Sequence, residues 1–369
     1  MNVIEKMKGF RPTTTDPRTR FYLRPVRVLR TTGDVQHADA LLSDHDGQVT
    51  LDRGGNTILT NKDGERASVL LDFGREINGS LRILTQACQP RQTKLRLRFG
   101  ESVSEAITPT PGKGATNDHV GRDYEFSISF MGAMDTSETG FRFVYIELVD
   151  DNTAVNFKGI EAILIVRDLD YIGSFECSDP LLNNIFDTAA YTVHLNMQEY
   201  LWDGIKRDRL VWQGDMHPES VSICAIFGDN EVLPRSMDTS KRIFPLGKWM
   251  VFPTYSMWWI MCHHEYYRHN GNLDYLREQH EYMRGLIPLL CEFIGEDGAE
   301  NSPDKFLDWP TRSDEAASHA GIQGLYAMTM SAAAYLLDEL GDNEMASYCR
   351  EKLELLKKHI PTTNRKQAA

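Results

Sequence analysis

At 369 residues, with 40 Lys and Arg against 53 Asp and Glu (net charge −13) and 41% hydrophobic residues, the chain exceeds one ordinary core and reads as two globular domains. No basic run is long enough to neutralise a row of phosphates, and no apolar run approaches the ~20 residues of a membrane span, so neither nucleic acid nor membrane is an expected partner. The first residues, MNVIEKMKGFRPTTTDPR, lack the apolar core of a signal peptide, which makes a cytoplasmic location the expectation.

The six cysteines (Cys88, Cys177, Cys224, Cys262, Cys291, Cys349) are scattered without a C-x-x-C pair. That favours reduced, mostly buried thiols over a zinc knuckle or a disulfide framework. An acidic chain with 10% aromatic residues suits a small neutral ligand better than a polyanion.

Residues 1–19 read as an arm with little structure of its own, and 20–168 as an antiparallel β-sandwich. Ser68–Phe73, Lys94–Phe99, Tyr124–Phe130, Phe141–Val149 and Ile160–Val166 are short and rich in β-branched and aromatic residues. Leu95, Leu97 and Phe99 alternate with Arg96 and Arg98, a period of two with one face buried. Gly- and Asp-rich breaks at 44–47, 54–56 and 62–64 separate the strands as hairpin turns do, and 108–117 has the composition of a loop.

After Asp168 the period becomes helical. Ser178-Asp-Pro180 supplies a cap and a first-turn proline, followed by an apolar stripe at Leu182, Ile185, Ala189, Val193 and Met197. Further helices are expected near 216–228, 231–243, 256–270, 274–294 (kinked at Pro288), 317–340 and 343–359, with Gly271-Asn272 and Gly341-Asp342 as breakers. Neither a fixed-period repeat nor a sustained heptad is present, so stacked helical hairpins fit better than a repeat array or a coiled coil.

The densest chemistry lies at 203–215, where Asp203, Arg207, Asp208, Arg209, Trp212 and Asp215 share thirteen residues. Carboxylates there can hold sugar hydroxyls and a proton, and a Trp can cover an apolar sugar face. The plainer alternative is a salt-bridged junction between a helix and a loop.

A sandwich followed by helical hairpins, with Asp-x-x-x-Arg-acid-Arg-x-x-Trp-x-Gly-Asp after the first helix, resembles the α-L-rhamnosidases. These are inverting glycoside hydrolases with an (α/α)6 barrel of twelve helices. Leu71-Asp-Phe-Gly-Arg-Glu-Ile77, Leu97-Arg-Phe-Gly-Glu101, Phe141-Arg-Phe-Val-Tyr-Ile146, Phe175-Glu-Cys-Ser-Asp-Pro180 and Leu307-Asp-Trp309 extend the resemblance from about residue 68 to 369. It implies that Asp203, Arg207 and Asp215 hold sugar hydroxyls and that Trp212 packs on the methyl-bearing face of rhamnose. Asp308 and Trp309 would help to enclose the sugar, and Asp208 stands at the general-acid position.

Two departures accompany the resemblance. The family usually has Glu where this chain has Asp208, one methylene shorter, and a proton donor must come within about 3 Å of the leaving oxygen. Pairing with Arg207 or Arg209 would also lower a pKa that a general acid needs raised, so Asp215 or Glu219 stand as alternatives. The family's catalytic base is a Glu following a Trp late in the barrel, and none of the six tryptophans here precedes Glu. With seven expected helices against twelve, the reading is a barrel truncated near its middle, with 169–369 as its N-terminal half. Its exposed inner faces would favour self-association.

The expected function is removal of terminal α-L-rhamnose from a glycoside with inversion, without a cofactor, impaired by the absent base. The alternatives are a non-catalytic carbohydrate-binding protein and an inverting glycosidase of the same fold acting on another sugar. Cys262-His263-His264-Glu265 with His269 lacks the H-E-x-x-H spacing and reads as helix packing rather than as a metal site. His217 and Glu219, directly after the motif, are candidates for the same cavity. Asp314, Glu315 and His319 could border it, with a capping role for Asp314 as the alternative. Tyr255, Trp258 and Trp259 read as a mixture of core and cavity lining, and Tyr266 and Tyr267 as packing.

Overall fold

The computed structural model describes residues 14–51, 54–111 and 120–362. They divide into two compact units, one formed by residues up to Asp168 together with Gly204–Arg209, the other by Leu169–Asp203 and the residues from Leu210 onward.

The first unit is built on ten antiparallel strands: β1 (Arg18–Leu23), β2 (Arg27–Thr32), β3 (Asp34–Gln36), β4 (Thr57–Asn61), β5 (Ser68–Gln89), β6 (Gln92–Gly100), β7 (Asp123–Ser129), β8 (Gly132–Asp135), β9 (Thr139–Leu148) and β10 (Thr153–Arg167). The expected arm boundary at residue 20 falls inside β1, because Arg18 and Thr19 already pair with Arg167 and Val166. The long strand β5 serves both layers of the sandwich. Residues 68–72 lie between β2 and β9, whereas residues 79–85 lie between β10 and β8 or β9.

The alternation in β6 appears as read: Leu95, Leu97 and Phe99 are fully buried, while Arg96 and Arg98 turn outward to Asp123. A short helix, α1 (Val103–Ile107), was not legible as such. The residues from 112 to 117 of the expected 108–117 loop lie outside the described residues.

At the bend of β5, Asp72 is fully buried. It accepts hydrogen bonds from Arg142 (2.9 Å), the Gly74 N–H (2.7 Å) and Arg27. Burial pushes its pKa up, but the hydrogen bonds from Arg142, Gly74 and Arg27 outweigh it and hold the carboxyl at about 2.

The second unit contains α2 (Pro180–Asn196), α3 (Gln213–Phe227), α4 (Val232–Ile243), α5 (Pro253–Asn270), α6 (Leu273–Cys291), α7 (Glu315–Glu339) and α8 (Asn343–Leu356). Asp179 caps α2 through the Leu181 N–H, with Pro180 in the first turn as expected. Helices α3, α5 and α7 pack side by side, and α8 lies against α7. Their shared core is centred on Trp259, Met283 and Tyr326. α6 continues through Pro288 to its last turn, where the Glu292 N–H donates to the Pro288 carbonyl.

The stripe expected to be buried on α2 is only partly so. Met197 is fully buried, but Leu182 and Ile185 are about half exposed, because no described element covers the N-terminal half of that face. Among the described residues no helix is long and apolar enough to cross a membrane. Cys88, Cys224, Cys262, Cys291 and Cys349 are buried free thiols.

The Asp72 cluster makes a testable prediction. A carboxyl whose folded pKa lies below its unfolded value contributes stability above about pH 4 and loses it as the pH falls towards 2. Asp72→Asn is expected to lower the thermal midpoint at pH 7. It should also flatten the acid limb of a melting-temperature profile between pH 4 and pH 2.

Candidate active site

The 203–215 segment is organised by a backbone clasp. The Asp203 N–H donates to the Leu210 carbonyl (3.1 Å), and the Leu210 N–H donates back to Asp203 Oδ1 (3.0 Å). Residues 204–209 form an excursion between these two points and belong to the first unit. Ile205 is buried there, and Gly140 makes room for it: a Cβ at Gly140 would come within 2.8 Å of Ile205 Cγ1. Lys206 Nζ reaches Glu105 (2.5 Å) and Glu101 (3.2 Å), and Arg209 donates to the Glu138 carbonyl (3.0 Å).

At the tip, Asp208 and Arg209 both have φ of 53°, the left-handed region that non-glycine residues rarely occupy. Each such residue costs of order 1–3 kcal/mol and persists only where its surroundings over-determine it. Arg207 and Asp208 form an ion pair at 3.2 Å.

The chain then enters α3. Gly214 sits against the Tyr255 ring so closely that a Cβ would come within 2.4 Å of it. One turn of helix carries Asp215, Pro218 and Glu219. Asp215 and Pro218 line a cavity of about 620 Å³ within the second unit, together with Tyr255 and Trp258 of α5, Leu307 and Asp308, and the α7 residues Gly321, Leu325 and Met328. Asp308 is held in place as the cap of a 3-10 turn, accepting from the Trp309 N–H (2.7 Å).

The negative charge gathers around Tyr255. Burial, and then Asp215, Asp308 and Asp203, push its hydroxyl up to about 12. Glu219 accepts from Asn196 Nδ2 (2.8 Å). Burial pushes its pKa up, the Asn196 bond opposes this, and Asp215 and Asp203 reinforce it, leaving the carboxyl at about 8. Glu219 is therefore mostly a neutral acid at pH 7, one turn from Asp215. His217 lies tilted against Trp258 (4.8 Å), and among the described residues its buried Nε2 has no hydrogen-bond partner; burial lowers its pKa.

The remaining sequence candidates are placed differently. Trp212 meets Tyr255 edge-on at 6.0 Å and lines a smaller neighbouring cavity rather than this one. Trp309 is 69% exposed, meets Phe306 edge-on and lies under the Arg312 guanidinium. Asp314 caps α7 through the Ala317 N–H. His319 is not a lining residue of the cavity: its Nδ1 contacts buried Glu300 (2.6 Å) and its Nε2 contacts His359 (3.0 Å), a pairing that draws it into helix packing.

Trp259 is fully buried with its indole N–H on the Met237 carbonyl, whereas Trp258 faces the cavity. Tyr266 is buried and bonded to Asp229, and Tyr267 bonds Glu339. His263 is engaged by the Trp259 carbonyl (2.8 Å), with burial lowering its pKa to about 3, and His264 pairs with Glu265 (3.0 Å). Among the described residues no group of three His, Cys, Asp or Glu side chains is arranged to hold a metal ion.

The family model for the bacterial α-L-rhamnosidase six-hairpin glycosidase domain matches residues 170–364. The chain belongs to this family. An α-L-rhamnosidase of Formosa agariphila is 25% identical over 322 residues, covering 77% of this chain and 32% of the relative. Another, from an Alteromonas species, is 29% identical over 164 residues, covering 43% and 17%. The chain thus spans a third or less of these curated relatives.

Solved rhamnosidase structures share the fold. A rhamnosidase of Bacillus sp. GL1 has a TM-score of 0.71 at 20% identity, covering 86% of this chain and 33% of that one. A rhamnosidase from Klebsiella oxytoca with rhamnose bound has a TM-score of 0.69 at 20% identity, covering 92% and 69%. This glycoside hydrolase family membership gives the carboxylates of the cavity a chemical context.

The raised Glu219 pKa has a thermodynamic consequence. An acid whose folded pKa exceeds its unfolded value keeps its full contribution below about pH 4.5 and loses stability as the pH rises towards 8. Glu219→Gln is expected to remove part of that slope. Denaturant midpoints of the two proteins at pH 5 and pH 8 measure it, and the difference between them should be larger at pH 8.

Proposed function

We propose that this chain binds a terminal α-L-rhamnose in the cavity between α3, α5 and α7, and supplies the proton-donating side of an inverting α-L-rhamnosidase. The observation that carries the reading is the pairing of two carboxylates, Asp215 and Asp308, with the rings of Tyr255 and Trp258 in one cavity of about 620 Å³. Carboxylates accept from sugar hydroxyls in charge-assisted hydrogen bonds, and aromatic and aliphatic walls suit the C–H faces and the methyl group of a 6-deoxy sugar. The accumulation of acidic groups disfavours an anionic ligand.

The resemblance alone assigns the proton donor to Asp208, which belongs to the first unit; within the second unit the candidate donor is Glu219, whose carboxyl is held at about 8. Asp203 and Asp215 stabilise the oxocarbenium-like state electrostatically. Inversion needs a second carboxylate, roughly 6.5–9.5 Å from the first, to activate water. No Trp-Glu pair occurs in the sequence, and we place that base outside these 369 residues. The same absence supports a second reading, a carbohydrate-binding protein without turnover.

Calorimetry and an aryl-glycoside assay test both. L-Rhamnose is expected to bind, and Asp215→Asn to weaken binding by about ten-fold or more through loss of a charge-assisted hydrogen bond. Release of p-nitrophenol from its α-L-rhamnoside should stay near background, since loss of one essential carboxylate costs orders of magnitude.

Added azide, a small nucleophile that needs no base, should accelerate that release and give the rhamnosyl azide of inverted configuration. Asp208→Asn or Glu219→Gln identifies the donor: its loss removes the alkaline limb of the rescued rate, which for Glu219 lies near pH 8. Rhamnose binding without azide rescue supports the carbohydrate-binding reading. Absence of rhamnose binding contradicts both.

A further inference from the structure

Asn196 is the last residue of α2, and the turn that follows the helix holds it on two bonds. Its backbone carbonyl accepts from the N–H groups of both Gln198 (2.9 Å) and Trp202 (3.0 Å). The side chain is left to reach α3, where Nδ2 donates to Glu219 Oε1 (2.8 Å). Both residues belong to the second unit.

An amide N–H on Oε1 decides which oxygen carries the proton of the acid. The oxygen that accepts behaves as the carbonyl of a carboxylic acid, and the hydroxyl falls to the other one. Glu219 Oε2 has no hydrogen-bond partner among the described residues. Yet it is not sealed from solvent as the orphaned Gln213 Oε1 and His217 Nε2 of the same helix are. The surrounding titratable groups are Asp215 on α3, Asp203 ahead of the clasp, and the Cys262 thiol on α5, which burial pushes up to about 12. Burial, Asp215 and Asp203 favour the neutral acid, and the Asn196 bond opposes them.

We propose that Asn196 is the positioning residue of the proton donor: by bonding Glu219 Oε1 it fixes the proton on Oε2, the accessible oxygen. The inference rests on the reading of Glu219 as the donor within the second unit. The reverse arrangement, with the amide turned so that Asn196 Oδ1 accepts the acid O–H, would tie the proton to Asn196 and make Glu219 a poor donor. The two arrangements differ in sign. Removing a donor that favours the carboxylate raises the pKa, whereas removing an acceptor from the neutral acid lowers it.

The test is a 13C NMR titration of the Glu219 carboxyl carbon in the 369-residue chain, assigned by the signal lost in Glu219→Gln. Asn196→Leu has nearly the same shape with neither donor nor acceptor. It is expected to raise the titration midpoint by about one pH unit, the effect of one hydrogen bond to a charged group. Asn196→Ala, which admits water instead of excluding it, should move the midpoint in the same direction and decides the case if the leucine variant does not fold. In azide-assisted release of p-nitrophenol the alkaline limb should move upward with the midpoint, which a merely structural role for Asn196 would not produce.

A midpoint that stays or falls in the folded variants overturns the inference, whether or not azide rescues turnover. A midpoint that rises while the alkaline limb stays in place confirms Asn196 as the residue that places the Glu219 proton and removes Glu219 as the donor.

Discussion

The pair of hydrogen bonds between Asp203 and Leu210 is the constraint on which the site depends. By pinching the chain there, it assigns the six intervening residues to the sandwich unit and delivers the next segment to the start of α3. One carboxylate oxygen of Asp203 is spent on this clasp, and the remainder of its charge acts on Tyr255 and Glu219. A single Asp therefore fixes the backbone path and contributes to the electrostatics of the cavity. The excursion is held by Ile205 packing, the Lys206 ion pairs and the Arg209 bond to Glu138, which together keep Asp208 and Arg209 in an unfavourable backbone region.

From the clasp onward the geometry follows from close approaches. Gly214 lets the Tyr255 ring lie against the first turn of α3, and that ring then separates a larger polar-floored cavity from a smaller apolar one. Asp215 and Asp203 act on both Tyr255 and Glu219, and Asp308 acts on Tyr255. Burial, reinforced by Asp215 and Asp203, favours the protonated form of Glu219.

Much of this was legible in the residues. The period-two pattern of β6, the Asp179-Pro180 entry to α2 and the Asp314 cap are local signals, each written within a few residues. Of the residues singled out at 203–215, Asp215 lines the larger cavity and Trp212 the smaller one. What was not legible depends on tertiary partners.

Tyr255 and Trp258 read as aromatics on a helix, and only packing decides that Trp258 faces the cavity while Trp259 is core. His319 sits next to a site segment in sequence but is captured by Glu300 and His359. Leu182 and Ile185 carry a helical apolar period, yet burial requires a covering element that the described residues do not provide. The left-handed tip at Asp208 and Arg209 has no glycine to announce it.

If the cavity formed by α3, α5 and α7 is a sugar site in its own right, a crystal of the 369-residue chain soaked with L-rhamnose will hold the pyranose there, with hydroxyls within hydrogen-bond distance of Asp215 and Asp308 and a C–H face on Trp258 or Tyr255. Rhamnose bound elsewhere on the chain, with this cavity holding only water, would contradict that reading.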